Sequence, residues 1–164
     1  MGMAILWGGL VCGVLDIAYA FALFGALGIG PARLLRGIAR GLLGSAAVSG
    51  GMGTALLGLL LHFTIAFCAA VTYCLASRKL PWMIHRALAS GLLFGIAVYF
   101  FMNFVVIPLS AIHRWPVIGT LFFVNLVEHM FIVGLPIALA ARRFMGSTGT
   151  ETASGTTFPA SQSA

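Results

Sequence analysis

Apolar positions in this chain fall into four long runs separated by short polar breaks. The runs cover about residues 3–27, 54–76, 87–109 and 117–141. Each is close to the ~20 residues that cross a hydrocarbon core of about 30 Å at 1.5 Å rise per residue. The first closes at Gly28-Ile29-Gly30-Pro31, and the second ends in the basic stretch Ser77-Arg78-Lys79-Leu80-Pro81-Trp82. Pro108 marks the end of the third, and Arg142-Arg143 stop the fourth. The link through Ala111-Ile112-His113-Arg114-Trp115-Pro116 is short, which predicts that the third and fourth spans are antiparallel neighbours.

Residues 31–43 carry a different pattern. At about 100° per residue, Arg33, Arg36 and Arg40 share one helical face, with Leu34, Leu35, Ile38 and Leu42 on the opposite one. Pro31 is placed to open that helix. The pattern predicts a short amphipathic helix in the membrane interface, its arginines towards headgroups. Ser45 to Gly53 reads as a turn, and Trp82 suits an interfacial aromatic belt. Residues 146–164 are rich in Ser, Thr and Gly without apolar periodicity and read as a disordered tail. The expected fold class is all-α: an integral membrane four-helix bundle over residues 1–145, with one interfacial helix between the first two spans.

Composition agrees with that pattern. Of 164 residues, 61% are hydrophobic and only 7% charged, against roughly a quarter charged in a soluble domain. The net charge of +6 does not form a nucleic-acid patch, because the cations sit singly or in small groups in the gaps between apolar runs. The implied partner is the lipid bilayer, joined by a second copy of the chain or another membrane protein; nucleic acid is not expected. With both termini cytoplasmic, Arg78, Lys79, Arg86, Arg142 and Arg143 lie inside and Arg33, Arg36, Arg40 and Arg114 outside. Five against four gives that orientation its majority. Cys12, Cys68 and Cys74 lie within apolar runs, without metal spacing, and read as packing residues.

Two processing signals are imitated at the start of the chain. Ala18-Tyr19-Ala20 resembles a signal-peptidase site, but no basic segment precedes it, Asp16 interrupts the apolar stretch, and hydrophobicity continues beyond. Leu6 stands where a myristoylation signal needs Ser or Thr. The first run is therefore counted as a span. Gly9-Leu10-Val11-Cys12-Gly13 parallels Gly91-Leu92-Leu93-Phe94-Gly95, and Gly53-Thr54 leads to His62 as Gly119-Thr120 leads to His129. Such a repeat would make the bundle a pair of related hairpins.

The polar residues inside the spans are few. Asp16 and Glu128 are two of only three acidic residues, and both fall near the centre of a span, as do His62 and His129. A charged side chain at that depth costs a few kcal/mol, and a shared depth is what a shared site requires. Each lies on a stripe with small or polar neighbours: Gly9, Cys12, Gly13 and Tyr19 beside Asp16, and Ala55, Gly58, Ala66 and Tyr73 beside His62. Asn125 accompanies Glu128 and His129, and Asn103 accompanies Tyr99. Small residues let such helices approach, so the stripes are expected to converge on the interior.

Several chemistries fit that set. The six polar residues Asp16, His62, Asn103, Asn125, Glu128 and His129 could serve purely as hydrogen-bonded glue between helices. Buried carboxylates beside imidazoles also suit proton or ion handling. His62, His129, Glu128 and Asp16 have the ligand types of a divalent transition metal, and His62 with His129 could be axial ligands of a haem. No distinctive spacing supports a cofactor, and none is the plainer expectation. No nucleophile, zinc-protease or phosphate-loop motif appears, so an enzyme is not expected. Tyr19, Tyr73 and Tyr99 read as packing residues and Pro136 as a tolerated kink.

Three stretches resemble the YagU-like family of small bacterial inner-membrane proteins. They are His62-Phe63 to Thr72-Tyr73-Cys74, Gly91 to Pro108-Leu109, and Glu128-His129 to Arg142-Arg143. They cover the last three spans, with span one matching only at its glycine-rich start. His62, Tyr73, Cys74 and His129 match the residue types expected of the family, whereas Asn103 stands where a histidine is expected. That departure speaks against a fixed three-histidine metal site. The resemblance implies a four-span bundle in a bacterial inner membrane and no particular activity.

Overall fold

The structure is a computed structural model and describes residues 1–146. The expected tail lies, from residue 147 onward, outside the described residues. The described residues are helical, with no strand among them. The elements in order are α1 (Gly2–Ala26), α2 (Pro31–Leu43), α3 (Met52–Lys79), the short α4 (Trp82–His85), α5 (Ala87–Leu109) and α6 (Thr120–Met145). Four of these, α1, α3, α5 and α6, are long and apolar enough to cross a membrane. Their outward faces keep large apolar side chains such as Leu60, Phe101 and Phe131 exposed.

The boundaries differ from the sequence expectation in two places. The second span extends three residues past Ala76, to Lys79. The fourth begins at Thr120, because Gly119 is extended and Pro116 interrupts the approach to it, and it runs on to Met145.

Helix α1 packs against α3 on one side and α6 on the other, and α5 packs along α6 as its antiparallel neighbour. Glycines set these spacings. A methyl group on Gly95 would run into the backbone of His129 and Met130, and one on Gly134 would strike the backbone of Gly91 and Gly95. Backbone-to-backbone contact of this kind is how small residues draw helices together where no hydrophobic effect between helices is available.

Both α5 and α6 widen into a π turn, at Met102–Val106 and His129–Gly134. Each π turn is followed two residues later by a proline, Pro108 and Pro136. A proline in a helix lacks an N–H and its ring crowds the carbonyl four residues back. Those carbonyls belong to Phe104 and Ile132, both inside the wider turns, so the π geometry absorbs the proline and the helix continues.

The bundle is solid at one end and hollow at the other. Tyr73, Cys74, Ala87, Ile137, Ala138 and Ala141 are wholly buried at the solid end. There the Tyr73 hydroxyl donates to the Met83 carbonyl at 3.1 Å and lies 2.7 Å from the Ser90 hydroxyl, tying α3 to α4 and α5. Towards the other end α3 and α5 stand apart.

Helix α2 fills part of that gap. It forms where the pattern predicts, with Pro31 in its first turn. It also docks against the rest of the bundle. Gly58 lets the Leu35 carbonyl abut α3, Ala39 is fully buried, and the Gly41 carbonyl accepts from the Ala111 amide at 2.9 Å. The helix thus straps α3 to the segment after α5. Leu42, Arg33 and Arg40 are exposed, and Arg33, Arg36 and Arg40 border the hollow.

Candidate functional site

The hollow is a cavity of about 860 Å³ walled by α1, α2, α3, α5 and α6. Asp16, His62, Asn103, Asn125, Glu128 and His129 all border it. The convergence expected from the stripes is present, and the geometry sorts the six residues into members and neighbours.

Asp16, Glu128 and His129 form the centre. One donor atom from each lies within 4.8 Å of the other two, so a single ion could touch all three. Glu128 and His129 come from consecutive positions, which a regular helix would splay by about 100°. The α-helix gives way to the π turn between them, and the Glu128 carboxylate reaches the His129 Nδ1. The Asn125 carbonyl lies 3.0 Å from the same nitrogen. Both partners of Nδ1 are acceptors, so Nδ1 carries the hydrogen, leaving Nε2 as the lone pair of the neutral ring. A carboxylate holding a histidine through its second nitrogen is the arrangement that orients metal-binding imidazoles.

Glu128 is almost fully buried, with 3% of its side chain accessible. Its Oε1 has no hydrogen-bond partner among the described residues. A buried oxygen of that kind calls for an explanation, and an absent proton, ion or water supplies one.

His62 joins through Asp16. Its Nε2–H donates to the Gly13 carbonyl at 2.8 Å, which turns Nδ1 towards Asp16 Oδ2 at 3.9 Å. That separation suits an ion pair or a bridging group and exceeds a direct hydrogen bond. With Nε2 donating to Gly13, the nitrogen that His62 has left is Nδ1, which faces Asp16.

The two asparagines stand aside. Asn125 contributes its carbonyl to His129, and its side chain receives the Tyr19 hydroxyl at 3.4 Å. Asn103 donates to the Tyr99 carbonyl of its own helix at 3.0 Å, so it borders the cavity without joining the cluster. Tyr99 does more than pack at random: its ring meets that of His129 edge-on at 4.9 Å, and its hydroxyl bonds the Phe122 carbonyl at 2.8 Å. Tyr73 lies at the solid end, away from the cluster. Cys12 is buried at the cavity wall one turn before Asp16, a neighbour legible from the i, i+4 spacing, while Cys68 faces outward.

The charge of the cluster constrains its chemistry. Two carboxylates face each other, and the ion pairs among the described residues join them only to His62 and His129. Like charges this close in a low-dielectric interior need a proton or a cation between them. No family model, curated protein or solved structure matches the chain.

Proposed function

We propose that this chain is a multi-pass membrane protein that holds and exchanges a cation, a proton or a divalent metal ion, at Asp16, Glu128 and His129. The carrying observation is the buried Glu128 Oε1 without a partner, set in a group of three donors within 4.8 Å. A cation bound there would give that oxygen a partner. Two carboxylate oxygens and an imidazole suit Mn²⁺, Fe²⁺ or Zn²⁺, and these donors shed protons when a metal enters.

The four apolar helices support a bilayer setting, and the YagU-like resemblance supports a bacterial inner membrane. The excess of cations beside the chain termini supports a cytoplasmic location for both. The activity is binding and exchange, without bond-making chemistry.

Calorimetric titration of the purified protein with Mn²⁺ and Zn²⁺ in two buffers of different ionisation enthalpy tests the reading. One ion per chain with proton release is expected, and Asp16→Asn or Glu128→Gln is expected to weaken it about tenfold or more. Proteoliposomes enclosing a pH dye test the proton arm, with flux expected in the native protein and lost in Glu128→Gln. Absence of both metal binding and proton flux in the native protein overturns the reading.

A further inference from the structure

The arginines of α2 and the shape of the cavity carry a second site. Arg33, Arg36 and Arg40 all border the cavity. Arg36 is held in place, its Nε donating to the Ala32 carbonyl at 3.3 Å and its Nη1 to the Gly50 carbonyl at 2.9 Å. Arg33 and Arg40 flank it with no ion pair among the described residues. The described chain has only two carboxylates, Asp16 and Glu128, and both are engaged with histidines. Three arginines therefore border one cavity without a carboxylate partner among the described residues.

Besides the polar cluster, the wall has apolar stretches. Ile17, Ile65, Val98, Met102 and Val106 line it between the facing sides of α1, α3 and α5. A volume of about 860 Å³ lies within the range of sites that enclose a small organic molecule. An apolar stretch of wall with cationic groups at one side matches a molecule with one anionic head and one hydrocarbon chain. Guanidinium groups prefer planar or tetrahedral oxyanions, which they bind through several N–H donors at once.

We propose that the cavity binds a single-chain anionic amphiphile, its phosphate-type head held by Arg33, Arg36 and Arg40 and its chain lying between α3 and α5. This site is independent of the cation reading, because it uses the α2 side of the cavity and none of the three cluster residues. The strap geometry of α2 explains why the arginines are there: Gly58 brings the helix against α3, and Gly37 and Gly41 leave its inner face open.

The test uses hexadecyl phosphate with a nitroxide on its chain, added to the protein in nanodiscs and read by electron paramagnetic resonance. A saturable immobilised component is expected, at least about tenfold weaker for hexadecanol and hexadecylamine bearing the same label. Arg33→Gln with Arg40→Gln is expected to weaken it by a similar factor. Gly37→Trp should also abolish it by filling the cavity, since a Cβ at Gly37 meets nothing within 4 Å and the fold tolerates the start of a side chain there. Glu128→Gln should leave it intact, which separates this site from the cation site. Equal immobilisation of all three head groups, no change in the arginine and Gly37 variants, or full displacement by inorganic phosphate alone would overturn the proposal.

Discussion

His62 donates its Nε2–H to the carbonyl of Gly13, 2.8 Å away, and by doing so turns its other nitrogen to Asp16. The glycine makes this approach available. Phe63 and Ala66 of α3 already lie against Gly13, and a Cβ there would meet the Phe63 ring at 2.8 Å. One bond thus joins α1 to α3 and fixes the tautomer of a cluster neighbour. His62→Leu is expected to destabilise the protein by about 0.6–1.7 kcal/mol, the range for polar contacts between helices in membranes. His62→Gln, which keeps a donor, should lose less. Unfolding in mixed micelles measures both, and equal losses would remove the Gly13 bond as the cause.

Acidification should release a bound metal. Protons and the metal compete for the same carboxylate oxygens and imidazole nitrogen, so the sign is fixed: affinity falls as pH falls. The apparent Zn²⁺ affinity should drop by roughly a factor of ten per pH unit for each proton displaced. Glu128→Gln should flatten that slope as well as lower the affinity. A pH-independent affinity would place the metal elsewhere.

Gly95→Ala should damage the α5–α6 contact, because the added methyl would meet the Met130 Cα at 2.6 Å, and backbone cannot give way cheaply. The expected loss is about 1–3 kcal/mol, the range for overpacking. Gly25→Ala is the control, since a Cβ there meets nothing within 4 Å. It should be neutral or stabilise by about 0.5–1 kcal/mol. Thermal scans of the two variants side by side decide the matter. Similar midpoints would mean the helices are less closely packed than described.

Tyr73→Phe removes a hydroxyl that bonds the Met83 carbonyl and the Ser90 hydroxyl. The cost should be about 0.5–1.5 kcal/mol, because Ser90 still donates to the Met83 carbonyl at 2.8 Å. Cation affinity should be unchanged, since the residue sits at the solid end. A shift in affinity would show that the two ends are coupled.

The four long helices, α2 and the convergence of Asp16, Glu128 and His129 were legible because each rests on periodicity, and periodicity survives folding. What was not legible depends on backbone geometry that side-chain patterns do not record. Pro136 in the sequence signals only a disturbance. The structure converts it into a π turn beginning at His129, one residue after Glu128, which no heptad or 3.6-residue count anticipates. Asn103 borders the cavity as its face predicts, and its amide N–H turns to the Tyr99 carbonyl one turn back, a bond that no face count reveals. The arginines of α2 were legible as a face; that they also border a cavity was not, because amphipathicity does not reveal that Gly58 on another helix would let α2 dock against α3.

The dense packing around Tyr73, Ala87 and Ile137 bears on the cluster. The cavity wall ends at Cys12, Ala69 and Val133, and beyond them Ala70, Tyr73, Cys74, Ile137 and Ala138 are packed without exposure. The Tyr73–Ser90 bond lies within that packed end and joins α3 to α5 there. An ion bound at the cluster therefore has packed protein, and no cavity, between it and the Tyr73 end.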